Sequence, residues 1–228
     1  MDITRYSFEE FVVFLFDRDV PSESEIATSG ERVRRWYYCT NAVFDLHRLS
    51  CHYVRLFSES ARLLSMFSNP QLELGFSGIV SGCSFSMKKL IWNADLAFAY
   101  RERVVRSMFC LFRDFFSIEP LGYMANMWWD GLCYEWEMGR RDRFNGGEDS
   151  LMQDVMFETM AKILSINSME CRLAALHGLS HLHHPATPQL LKQYTSIFPS
   201  LERRCDEYSA EEAAWRERVK VWRSRKRN

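Results

Sequence analysis

The sequence predicts an all-α chain, and three observations carry that reading. Apolar residues recur at intervals of three and four, with little sustained alternation by two. Capping signatures stand ahead of the apolar stretches, as Ser7 with Glu10, Ser150 with Gln153 and Ser209 with Glu212. Short breaks at Ser68, Ser117 and Ser165 divide the chain at intervals of about 50 residues, the upper range for units of a helical repeat.

The first helix is expected over about residues 8–17, with Phe8, Phe11, Val12 and Leu15 on one face. Residues 18–31, polar and containing Pro21 and Gly30, read as a loop. A second helical region opens near Glu31 with Trp36, Tyr37 and Tyr38; the phase then blurs from Asn41 to Arg48 and returns at Val54 through Phe57, Ala61, Leu64 and Phe67. Asn69 is placed as a cap with Pro70 at the first helical position of the next helix, which carries Leu72, Phe76, Ile79 and Cys83. Gly75, Gly78 and Gly82 lower its propensity and suit close approach of a neighbouring helix. Residues 101–116 carry two adjacent stripes, Val104–Met108–Leu111–Phe115 and Val105–Phe109–Phe112–Phe116, a face wide enough to be buried on most sides.

After a break at Ser117 to Pro120, a helix from Leu121 to Met138 is expected, with Met124, Trp128, Leu132 and Trp136 turned inward. Gly139 to Asp149 is a charged loop. The Ser150 capping box opens a helix through Met152, Met156, Met160 and Ile163, and another begins at Met169. Thr187-Pro188 caps a further helix, and Trp215, Val219 and Trp222 form the stripe of the last.

The 228 residues are 47% apolar and 14% aromatic, enough for one sizeable core, so a single domain over residues 1–228 is the simplest count. Its parts are an N-terminal helical region (about 1–50), helical hairpins (about 51–200) and a basic C-terminal helix (about 209–226). The net charge of −1 is unevenly spread: Arg216 to Asn228 holds seven basic residues and one acidic, a net of +6, which leaves −7 on the body. An acidic body argues against a large phosphate-binding face, so nucleic acid is disfavoured as a partner. The tail reads as basic side chains that suit the dipole of a last helix. Seven cysteines, an odd number without a C-x-x-C pair, read as reduced thiols in apolar stretches. With no apolar segment of signal-peptide or membrane-spanning length, the expectation is a soluble cytoplasmic protein without membrane attachment.

Cys171-Arg172-Leu173-Ala174-Ala175-Leu176-His177-Gly178-Leu179 resembles the second helix of HEAT-like repeats, with small residues Ala174, Ala175 and Gly178 where neighbours stack and Arg172 near the helix start. Gly178 comes one or two places early for that pattern. The likeness covers one unit, about residues 150–194, and the Ser68 and Ser117 units share only its hairpin rhythm. It implies an α-α superhelix of HEAT-like helical hairpins, and with it a binding surface more often than an active site.

Four of the six histidines fall between residues 177 and 184. His177 and His181 share a helix face at i, i+4, a spacing that can hold a metal ion. His184 would extend that face, but Pro185 pushes it out of helical geometry, and no carboxylate lies between the pair. The bland alternative is two packed or hydrogen-bonded histidines at a hairpin end, and it is preferred, with no metal and no cofactor expected. His47 and Cys51 share the same spacing in an otherwise ordinary stretch. Gly178-Leu179-Ser180-His181 lacks the second glycine and the preceding strand of a nucleophile elbow.

Trp128-Trp129-Asp130, followed by Tyr134 and Glu137, suggests either a base-stacking cleft, as in HEAT-like DNA glycosylases, or a protein-binding groove. The acidic body favours the groove, with Trp129, Asp130, Tyr134 and Glu137 as its binding residues and Trp129 partly exposed. No residue set meets the demands of catalysis, so the expectation is a non-enzymatic helical-repeat module that binds a protein partner. Its size and charge suit an inhibitor or immunity protein covering a basic partner. The rival is a metal-dependent enzyme using His177 and His181.

Overall fold

The computed structural model describes residues 1–20, 42–80 and 83–199, together with Cys205, Glu207, Ala210 and Glu217. The helical region expected from Glu31, most of the preceding loop, Gly82 and the basic C-terminal helix lie outside the described residues. Helix accounts for 66% of the structure and no strand is formed among the described residues. One isolated bridge, Asp2 to Val43, ties the N-terminus to the entry of the second helix. The all-α expectation holds, and no helix of the described residues is long and apolar enough to cross a membrane.

In chain order the α-helices are α1 (Phe8–Phe16), α2 (Leu46–Ser58), α3 (Ser60–Leu64), α4 (Asn69–Val80), α5 (Met87–Ile91) and α6 (Phe98–Leu111). A π-helical turn (Phe112–Phe116) follows α6; then come α7 (Asp130–Glu137), a 3-10 turn (Arg143–Asn145), α8 (Glu148–Ile163), α9 (Met169–Leu182) and α10 (Thr187–Ile197).

The capping box of α1 is formed as expected. Glu10 N donates to Ser7 Oγ at 3.2 Å, and Ser7 N donates to Glu10 Oε2 at 2.7 Å. Helix α2 starts at Leu46, inside the blurred stretch and eight residues before Val54, because Asp45 caps it by accepting from Arg48 N at 2.7 Å. Gly75 does permit close approach: a β-carbon there would sit 2.9 Å from the Leu15 carbonyl oxygen and overlap the Phe16 ring. The α1–α4 contact thus depends on its having no side chain.

Four local expectations are corrected. The helix at the Ser68 break starts one residue early, at Asn69, and Ser68 N donates to Gln71 Oε1 at 3.1 Å. Helix α7 begins at Asp130 rather than Leu121, because Leu121 and Gly122 are both left-handed (φ 51° and 58°) and break the i→i−4 ladder. Ser150 and Gln153 form no capping box: Gly147, at φ 71°, admits the chain to α8 earlier, Ser150 Oγ donates to the Gly147 carbonyl, and buried Gln153 donates to the Leu182 carbonyl at 2.7 Å. Thr187 is the first residue of α10 rather than its cap, and its buried hydroxyl has no hydrogen-bond partner.

Buried apolar side chains form one cluster that runs from Ile3 to Cys205. Within it α1 packs on α4, α2 on α6 and α6 on α8. Helix α9 packs on both α7 and α8. That last arrangement positions the candidate site.

Candidate metal site between helices 7 and 9

Helix α7 is eight residues long and carries Asp130, Tyr134 and Glu137 at i, i+4 and i+7, one continuous stripe. Helix α9 carries His177 and His181 at i, i+4. The two stripes face one another because Gly178 lets the helices close: a β-carbon on it would lie 2.7 Å from Trp129 Cβ and Cγ and 2.6 Å from Met160 Sδ. Ser168 starts α9 in register by accepting from Cys171 N at 3.3 Å. Gln153 of α8 holds its other end through the Leu182 carbonyl.

Asp130 Oδ1 and His177 Nε2 stand 2.9 Å apart. Both atoms are buried, and neither takes part in a hydrogen bond, since the pair lies at bonding distance without bonding alignment. His181 completes the group: one donor atom each from Asp130, His177 and His181 lie within 4.8 Å of one another, the one such set of three among the described residues. The two imidazoles meet edge to face with centroids 4.8 Å apart.

The surroundings tune these groups. Burial pushes the His181 imidazole below its ordinary value, and the neighbouring His177 acts in the same direction, so its ring is neutral with a lone pair to give at neutral pH. Tyr134 packs its ring on His181 at 4.5 Å. Its phenol is pushed up by burial and then by the charge of Asp130. Glu137 Oε2 lies 3.6 Å from His181 Nδ1 and also receives His183 Nε2.

Trp129 requires a correction. It was expected at the edge of a groove and is 0% exposed, as is Trp128. Trp128 enters the aromatic core beside Phe57, Phe76, Phe112 and Phe116, with its indole N–H donated to Met108 Sδ at 3.4 Å. Trp129 turns the other way, stacks on Phe112 at 6.2 Å and fills the space over Gly178. Neither ring can stack on a base or meet a protein partner. Asp130 is buried as well, while Tyr134 and Glu137 are partly exposed. Of the four residues named from sequence, the structure brings Asp130, Tyr134 and Glu137 together, and it sets them against the histidines.

The remaining histidines behave as packing groups. His184 Nε2 bonds Asp154 at 2.8 Å, its ring stacks on Phe157 at 4.1 Å, and Arg143 reaches the same carboxylate at 2.6 Å. His47 meets the Tyr100 ring edge to face at 4.8 Å, and Cys51 is exposed. The expectation that Pro185 takes His184 out of the helical face holds, since α9 ends at Leu182 and His183 is left-handed (φ 54°).

Two imidazoles and one carboxylate are a donor set for zinc and for other first-row divalent ions. Three protein donors leave at least one coordination position for water or a substrate atom. Comparison with known proteins finds no family model, curated protein or solved structure that matches this sequence.

Proposed function

We propose that this chain is a metalloprotein that binds one first-row divalent ion, zinc being the first candidate, through Asp130, His177 and His181. The observation that carries the reading is the facing pair Asp130 Oδ1 and His177 Nε2: two buried donors at 2.9 Å, both without a hydrogen bond. A contact at this distance without alignment forgoes about 1–3 kcal/mol of hydrogen bonding, which is recovered either by a realigned proton on His177 Nε2 or by an acceptor of both lone pairs. An ion between them would be such an acceptor. With three protein donors the metal would keep an exchangeable water, whose pKa a bound zinc lowers towards neutrality, and hydrolytic chemistry becomes available. The ligands, Tyr134 and Glu137 would bind, orient and shield; the chain names no substrate.

The protein-partner reading drawn from the sequence relied on Trp129 reaching a groove, and burial of that ring removes its anchor. The HEAT-like arrangement, read from the unit at about residues 150–194, is retained as a proposal. Its support is the succession of contacts α6–α8–α9–α7 and the small residues Ala174, Ala175 and Gly178 at the packed faces of α9.

The test is direct. Metal-free protein titrated with zinc or cobalt should bind one equivalent, and Asp130→Asn or His177→Ala should remove it. Absence of stoichiometric binding by the wild-type chain would end the proposal.

A further inference from the structure

We infer that Glu137 is the carboxylate that orients His181 behind the metal, so that the ion binds Nε2 while Nδ1–H donates a hydrogen bond to Glu137. This rests on the metal reading above. Histidines that ligate metals almost always give their second ring nitrogen to a carboxylate, a carbonyl or water, which fixes the tautomer and raises the basicity of the ligating nitrogen. His181 Nδ1 has such a neighbour already in place: Glu137 Oε2 at 3.6 Å, just outside hydrogen-bond range. Metal on Nε2 makes the Nδ1 proton more acidic, which favours closing that gap.

Glu137 is also held from behind. His183 Nε2 bonds the same oxygen, and the His183 side chain is almost fully buried at the left-handed end of α9. The carboxylate is therefore fixed between two imidazoles from one helix end, one a ligand and the other an anchor. Helix α7 would then give the site its ligand, Asp130, and about two turns further along the group that aligns a ligand from the opposite helix. Both come from the stripe that Asp130, Tyr134 and Glu137 form at i, i+4 and i+7, while Glu135 leaves that stripe to pair with Lys88 and Arg140.

The experiment measures zinc affinity by competition with a chromogenic chelator, and the visible spectrum of the cobalt-loaded protein, for the wild type and for Glu137→Gln, His183→Ala and Asp130→Asn. The isosteric Glu137→Gln should bind zinc roughly 10- to 100-fold more weakly while its cobalt spectrum keeps the wild-type shape, because the three ligands remain. His183→Ala, which removes one anchor of the carboxylate, should weaken zinc binding less than Glu137→Gln, because the carboxylate itself remains. A role confined to stability would lower the melting temperature of metal-free Glu137→Gln and leave affinity unchanged, which would overturn the inference. Wild-type affinity in Glu137→Gln combined with lost binding in Asp130→Asn would likewise overturn it and leave the metal site standing. No binding by the wild type would remove both.

Discussion

Trp129 occupies the place where a side chain on Gly178 would be. The closest atoms of the indole lie 2.7 Å from where that β-carbon would sit, so helix α9 reaches the start of α7 only because residue 178 has none. This one contact fixes how far apart Asp130 and His177 stand, since each is next in sequence to one member of the pair.

Gly178→Ala therefore tests the approach of the two helices. Helix propensity alone would stabilise the variant by about 1 kcal/mol. Overpacking against Trp129 and Met160 opposes that gain and is expected to exceed it, for a net loss of about 1–2 kcal/mol. Denaturant unfolding reads the sign directly, and a variant as stable as wild type would show that the helices part at no cost.

Trp129→Ala should destabilise the protein by about 3–5 kcal/mol, comparably to Trp128→Ala, since both open large cavities in the core. Chemical unfolding of the two variants side by side makes the comparison. A Trp129→Ala variant within about 1 kcal/mol of wild type would place that ring at the surface, as the sequence alone suggests.

Acid should weaken the fold before the carboxylates titrate. Burial holds the His52 and His184 imidazoles below the ordinary histidine value; at His52 donation from Nε2 to the Tyr6 carbonyl opposes this, and at His184 the Asp154 carboxylate does. Groups depressed in the folded state bind protons more readily when unfolded, so their contribution is complete above about pH 6.5 and is lost as pH falls through their folded values. Carboxylates with lowered values, such as Glu10 through its bonds with Ser7, add their own loss only at lower pH. The melting temperature of the metal-free protein should thus start to fall between about pH 6.5 and 5.5, and His52→Gln should shrink that early step. A flat profile down to about pH 5 would contradict it.

The helical class was legible because its signals are local. The Ser7–Glu10 box, the wide stripes of residues 101–116 and the start at Met169 each need only a few neighbouring residues, and each is found in place. The start of α7 was not legible. Tyr123 to Trp129 has helix-compatible composition, and the break is imposed by the left-handed backbone at Leu121 and Gly122. The site was legible only in halves. His177 with His181, and Asp130 with Tyr134 and Glu137, each show helical spacing, but their meeting is a tertiary fact set by Gly178. A carboxylate sought between the histidines in sequence lies across a helix interface. The matched periodicity of the two polar stripes was the one signal that could have joined them.

An ion between α7 and α9 would be seen at once in anomalous scattering from crystals grown with zinc. One peak is expected, bonded to Asp130 Oδ1, His177 and His181, with ligand distances of about 2.0–2.2 Å and Glu137 against the far nitrogen of His181. A structure with no metal at that position, and with Asp130 Oδ1 and His177 Nε2 joined by an ordinary aligned hydrogen bond, would contradict it.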